Sequence, residues 1–287
     1  MTASPCGPLR LLLHRTWTLL VICCILLVLL LLVVMGDEAL AISHRHPTVN
    51  PDKTLALVVA KSRREDTSWA YRVMPHWRPY IYTSDQEPGF ADLPANKGRE
   101  SMAYLTHIID NYDDLADITV FMHGGDSQWH NDVRDLDSPS LLRSLNLRTV
   151  ERLGYANLRC HHRPGCPVAV RPFDPDMASD HNVVYRNFTS IYVDLFRVPL
   201  DQIPTEIGGV CCGQFAVTRE RIRGRPKEDY MRMRDWAITT ELDNFAVGSV
   251  FEMLWHIVFL EAPVACPDTQ QCYCELYDLC NEEPDNS

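Results

Sequence analysis

Residues Trp17–Met35 read WTLLVICCILLVLLLLVVM, nineteen residues without a charge. At about 1.5 Å of rise per residue, a helix of this length crosses a hydrocarbon core of about 30 Å. No other feature restricts the fold so strongly, because the rest of the chain must then fold on one side of a membrane. Arg10 and Arg15 precede the run, and Asp37 and Glu38 follow it. Positive flanks stay cytoplasmic. The pattern predicts a single-pass type II protein. Its parts are a cytoplasmic tail (1–15), a transmembrane signal anchor (16–36), a stem (37–53), a lumenal or extracellular domain (54–282) and an acidic tail (283–287). The rival is a cleaved signal peptide, suggested by Ala39-Leu40-Ala41. Such peptides carry apolar cores of about 7–15 residues, shorter than this one. Either way the domain lies outside the cytosol.

That compartment gives the cysteines a meaning. Of eleven, Cys6, Cys23 and Cys24 fall in the tail and the apolar run. The other eight are Cys160, Cys166, Cys211, Cys212, Cys266, Cys272, Cys274 and Cys280. An even number beyond a secretory segment predicts disulfides. Spacing suggests a local Cys160–Cys166 pair and a knot within 266–280. Adjacent Cys211 and Cys212 are expected to bond to two different places, since neighbours make poor disulfide geometry. CPDTQQCYC fits no common zinc spacing, and oxidised cysteines do not bind zinc. Asn187-Phe188-Thr189 is the glycosylation sequon, in keeping with a lumenal domain. Beyond residue 36 the chain carries 25 basic against 38 acidic side chains. This acidity argues against nucleic acid as a partner.

Apolar runs at 55–60 (LALVVA), 80–82 (YIY), 118–122 (ITVFM) and 215–217 read as strands. Residues 98–112 place Met102, Leu105, Ile108, Ile109 and Tyr112 on one helical stripe. A further helix is expected over 139–153, and another begins near Pro226. A loop is expected over 163–176, and a short strand or helical turn over 191–196. Residues 248–259 are apolar nearly all round, which predicts a buried helix. The fold class is therefore α/β: a mixed, Rossmann-like sheet with flanking helices.

Four segments could carry chemistry. In FMHGGDSQWHND an apolar strand stops at His123 and two glycines, followed by Asp126, Trp129, His130 and Asp132. In open α/β sheets ligands bind beyond the carboxyl ends of strands. The plainer alternative is a solvated turn. Glu252 and His256 lie four residues apart on one face of an apolar helix, a spacing that suits a catalytic base and its partner, or a structural ion pair. The loop after the first strand, KSRREDTSW, offers Glu65 and Asp66 to a nucleotide; solvated loop charges are the alternative. Asp135-Leu136-Asp137 and Asp174-Pro175-Asp176 spell the D-x-D pattern that can hold Mn²⁺ against a diphosphate, but neither follows an apolar strand.

The blocks LALVVAKSRREDTSW, NKGRESMAYLTHIIDNYDDLADITVFMHG, WHND, GYANLRCHHRPGCP, CCGQFAVTRERIRGRP and FEMLWHIVF resemble a fungal family of signal-anchored or secreted proteins, catalogued as a domain of unknown function. The likeness runs over about 55–280. The family's first loop usually reads like K-Y-N-E-D, where this chain has Lys61-Ser62-Arg63-Arg64-Glu65-Asp66. The strand-one loop and the late E-x-x-W-H helix are more distantly similar to GT-A-type glycosyltransferases. That resemblance implies a Golgi or secretory-pathway enzyme that uses a nucleotide sugar and a glycan or small-molecule acceptor. Glu65 and Asp66 would meet the donor. His123, Asp126, Trp129, His130 and Asp132 would line the centre, with Mn²⁺ optional, and Glu252 or His256 would act as base. The alternatives are a non-catalytic membrane-anchored binding or accessory protein and a metal-dependent hydrolase.

Overall fold

Leu55–Lys61 (β1) and Ile118–His123 (β4) are short, apolar and almost entirely buried, as runs rich in Val, Leu and Ile must be at the centre of a parallel sheet. β1 pairs in parallel with β4 on one side and with Trp77–Thr83 (β2) on the other. Ala91–Asp92 (β3) extends the β2 edge in parallel. Beyond β4 lies Phe215–Thr218 (β7), antiparallel, and then Tyr155–Asn157 (β5), antiparallel to β7. The sheet order is β3-β2-β1-β4-β7-β5. Two further short strands, Gly208–Gly209 (β6) and Val264–Ala265 (β8), form a separate parallel pair. The expected mixed α/β sheet is present. The structure, a computed structural model, describes residue 26 and residues 53–73 and 76–280.

Side chains alternate across the sheet and build two cores. Val58, Phe121, Phe215 and Val217 face Glu100–Asp110 (α2), Phe188–Phe196 (α7), Lys227–Thr239 (α9) and Asn244–Val258 (α10). Leu57, Val59, Val120, Met122 and Ala216 face Ala70–Val73 (α1), Ser138–Ser144 (α3), Leu147–Leu153 (α4) and Thr269–Tyr277 (α11). Pro175–Ala178 (α5), Val183–Arg186 (α6) and Arg219–Arg223 (α8) complete the helices named here. The single helix expected over 139–153 is two. Asn146 breaks it, with its side-chain oxygen accepting from the N–H groups of Arg148 and Thr149. Residues 191–196 belong to α7.

Four disulfides form: Cys160–Cys272, Cys166–Cys266, Cys211–Cys212 and Cys274–Cys280. Cys274–Cys280 lies within the expected knot. The local Cys160–Cys166 pair does not form, because each of these cysteines meets the C-terminal segment that folds back over β5. Cys211 and Cys212 join each other instead of two distant partners. The described residues from Lys53 onward form one compact unit. Among the described residues no helix is long and apolar enough to cross a membrane. Apart from Leu26 and Lys53, the expected cytoplasmic tail, anchor and stem lie outside the described residues, as does the acidic tail.

Candidate functional site at the carboxyl ends of β1 and β4

The chain leaves β1 towards β2 on one side, while β4 lies on the other. The crevice between the ends of β1 and β4 is thus a topological switch point, where open α/β sheets bind ligands. β1 ends at Lys61, whose buried ammonium donates to Glu87 Oε2 at 2.7 Å and lies over the Phe90 ring. In the following loop Glu65 Oε2 accepts from the Ser62 N–H and hydroxyl at 2.7 and 3.0 Å. Asp66 accepts from the Ser68 N–H and hydroxyl at 2.8 and 3.0 Å. These bonds hold its carboxyl below its ordinary proton affinity. Both loop carboxylates therefore shape the turn, although Asp66 stays exposed. A Cβ on Gly124 would stand 2.9 Å from Glu65 Oε2 and from Lys61 Cβ, so this close approach requires glycine.

β4 ends at His123. Its ring Nε2 lies 3.1 Å from the Cys212 carbonyl oxygen, and its Nδ1 lies 4.0 Å from Glu100 Oε2. Nε2 is then the protonated nitrogen, which leaves Nδ1 facing the carboxylate. The His123 N–H donates to Gln214 Oε1 at 3.3 Å. The His130 ring centroid is 4.5 Å from that of His123, and exposed Trp129 packs against His130 at 4.1 Å. Burial pushes His130 down to about 3, reinforced by the nearby charges of His123, Arg159 and Arg99. Its Nδ1 is buried without a hydrogen-bond partner.

α10 completes the cluster with Glu252. Burial raises the proton affinity of this carboxyl, and the Glu100 charge raises it further. Against them act the charges of His123 and Arg99 and a hydrogen bond from the Cys212 N–H. An imidazole and a carboxyl of raised proton affinity share the crevice, with a second carboxylate beside both. A carboxyl whose proton affinity is raised in this way is suited to accept and return a proton.

The structure separates some of the residues that the sequence groups together. His256 does not join Glu252. Its Nε2 lies 3.0 Å from the Pro263 carbonyl, its ring packs on Gly209, and burial lowers its proton affinity. Asp132 Oδ2 accepts from the N–H groups of Cys160 and His161 and from the Tyr273 hydroxyl, at 2.9, 2.7 and 2.9 Å. Asp126 is exposed on the loop beyond the glycines. Asn187 is exposed just before α7, with its Nδ2 donating to the Val183 carbonyl at 3.0 Å. Glu100, Arg99, Gln214 and the Cys212 peptide escaped the sequence reading. Glu100 looked like an ordinary first-turn acid, and the CCGQ segment lacked a strand end to place it.

The D-x-D spellings have structural work: Asp137 Oδ2 accepts from the Ser140 N–H and Asp174 Oδ1 from the Asp176 N–H, each at a helix start. Among the described residues, the only His, Cys, Asp or Glu trio with ligand atoms within 4.8 Å of one another is Cys211, Cys212 and Glu252. Both of its sulfurs are bound in a disulfide. These residues do not fit a Mn²⁺ cradle.

No curated protein and no solved structure matches the chain. A family model described as "Protein of unknown function (DUF3431)" matches residues 57–275, which takes in every residue of the crevice. On that match, the chain belongs to the DUF3431 family.

Proposed function

We propose that the protein is a glycosyltransferase-like enzyme of the secretory pathway, moving a sugar from a nucleotide sugar to an acceptor hydroxyl. One observation carries this reading: Glu252, with its proton affinity raised by burial and by Glu100, sits with His123 at the switch point of the sheet. Glu252 takes the acceptor proton beside His123, whose ring is fixed through Nε2 by the Cys212 carbonyl. Exposed Arg99, which leans on Phe245, supplies positive charge for the leaving diphosphate. Exposed Trp129, with Arg159 over its ring, offers a stacking face to a sugar or base. Four disulfides agree with a domain that folds outside the cytosol, and the apolar run at 16–36 would tether it in the Golgi.

The test is a panel of nucleotide sugars given to the purified full chain, with and without Mn²⁺. Released nucleoside diphosphate is the expected product; if none forms with any donor, the reading fails. A non-catalytic binding protein is the second reading, favoured by the structural bonds of Glu65, Asp132 and His256. It predicts calorimetric binding of a donor or glycan without turnover.

A further inference from the structure

We propose that the Cys211–Cys212 disulfide is a positioning element of this site, locking Cys212, the residue whose backbone meets both His123 and Glu252. The proposal rests on reading these two side chains as the reacting pair. Cys212 offers two backbone polar atoms. Its carbonyl oxygen lies 3.1 Å from His123 Nε2, and a Glu252 carboxylate oxygen lies within 4.8 Å of its sulfur, where the Cys212 N–H favours the charged carboxylate. A shift of this residue therefore disturbs both side chains at once. The next residue bears on the third group, since a Cβ on Gly213 would lie 3.0 Å from Glu100 Oε1.

The conformation is one that an unconstrained cysteine avoids. Cys212 has φ 91 and Gly213 has φ 53, two successive residues in left-handed backbone. Gly213 adopts this without steric cost; Cys212 carries a Cβ and does not. A bond between the side chains of neighbouring residues closes a small ring through their shared peptide and removes its competing conformers. The flanks are clamped too. Asn157 Nδ2 donates to the carbonyls of Val210 and Cys211 at 2.9 and 3.1 Å, and Gln214 bridges the His123 N–H to Asn131. Both sulfur-bearing residues are nearly fully buried, at 7% and 2% exposure. The other three disulfides tie together segments away from these two side chains.

The experiment follows the titration of Glu252 in the full chain, by NMR of ¹³C-labelled glutamate with the signal assigned through E252Q. In C211S/C212S, loss of the fixed N–H donor moves the Glu252 midpoint upward by about half a pH unit or more, because that bond favours the charged form. C274S/C280S leaves the midpoint unchanged. For turnover of a nucleotide sugar, C211S/C212S lowers kcat with little change in KM. The wild-type chain, reduced after folding, covers a double variant that fails to fold. Dithiothreitol supplies two electrons and two protons, becomes the cyclic disulfide, and leaves Cys211 and Cys212 as thiols; peptide mapping reports which bridges opened. The same upward shift is expected when this bridge opens. An unmoved midpoint in either form overturns the positioning role, even if turnover falls. Absence of turnover in the wild-type chain overturns the functional reading instead, and the titration stays decisive for the geometry.

Discussion

Within the stretch from His123 to Asp132, polar side chains meet two opposite fates. Asn131 is saturated, and Asp132 is anchored through one oxygen, Oδ2, while its Oδ1 is buried without a partner. Asn131 Nδ2 donates to Leu136 and Ser138, its Oδ1 accepts from Gln214, and Asp132 gathers two backbone N–H groups and a tyrosine hydroxyl. His123 Nδ1 lies 4.0 Å from the Glu100 carboxylate, and His130, packed between His123 and the exposed Trp129 indole, keeps a buried Nδ1 without a partner. The difference teaches where a function belongs. A side chain bonded to several distant backbone groups holds the fold, and one left short of partners at the carboxyl ends of central strands can bind or react.

The widest separation expected between the two groups is in activity. E252Q keeps the shape of α10 but removes the base, and should cut turnover by about 10²–10⁴-fold with a small change in melting temperature. D132A should do the reverse. It strips partners from two backbone N–H groups and a hydroxyl, so stability should fall by about 3 kcal/mol in a denaturant titration. If D132A stays as stable as wild type, the division between structural and reactive groups is broken. W129A removes an exposed ring and should leave stability within about 0.5 kcal/mol. It should raise KM about tenfold if a sugar or base stacks there.

Acid sharpens the same contrast. Burial drives His107 and His130 down to about 3 from 6.5, so below about pH 6.5 the unfolded chain binds protons that the folded chain refuses. Stability is lost as pH falls from about 6.5 towards 3. His107, which is 1% exposed and bonded to the Tyr82 hydroxyl, accounts for up to about 2 kcal/mol between pH 6.5 and 5. Glu252 acts in the opposite sense. Its raised affinity stabilises the fold fully below 4.5 and is lost as pH rises through its shifted value. H107Q should therefore flatten the acid limb of a stability–pH curve, and E252Q should steepen it. The smallest effect is expected for D66A, which loses local turn bonds to Ser68 at an exposed site and should leave the denaturation midpoint close to that of wild type.

Much of this architecture is legible in the residue pattern. The runs at 55–60 and 118–122 are strands because nothing else buries so many consecutive Val, Ile and Phe side chains in so few residues. The abrupt change from Met122 to His123-Gly124-Gly125 marks a strand end, and His123 is found by it. What fails is the pairing of Glu252 with His256. Residues four apart lie on one helix face, yet α10 is wedged between elements at both levels. One turn meets the end of β4 and the start of α2, and the next meets β6 and the Pro263 carbonyl. Disulfide connectivity fails for a related reason: it records which loops the fold brings together, and spacing along the chain carries no such record. The D-x-D spellings mislead because aspartate before a short helix is also a cap.

The long bridges bear on how the chain is made. Cys160 and Cys166 wait for partners 112 and 100 residues further on. At about 5–20 residues per second, they enter the lumen about 5–20 s before Cys272 and Cys266 exist. During that interval the nearest thiols on offer are each other, and then Cys211 and Cys212. Mispairing is thus built into the order of synthesis, and maturation would depend on a thiol isomerase to undo it. The yield of correctly bridged chain should track isomerase capacity more closely than the stability of its finished fold.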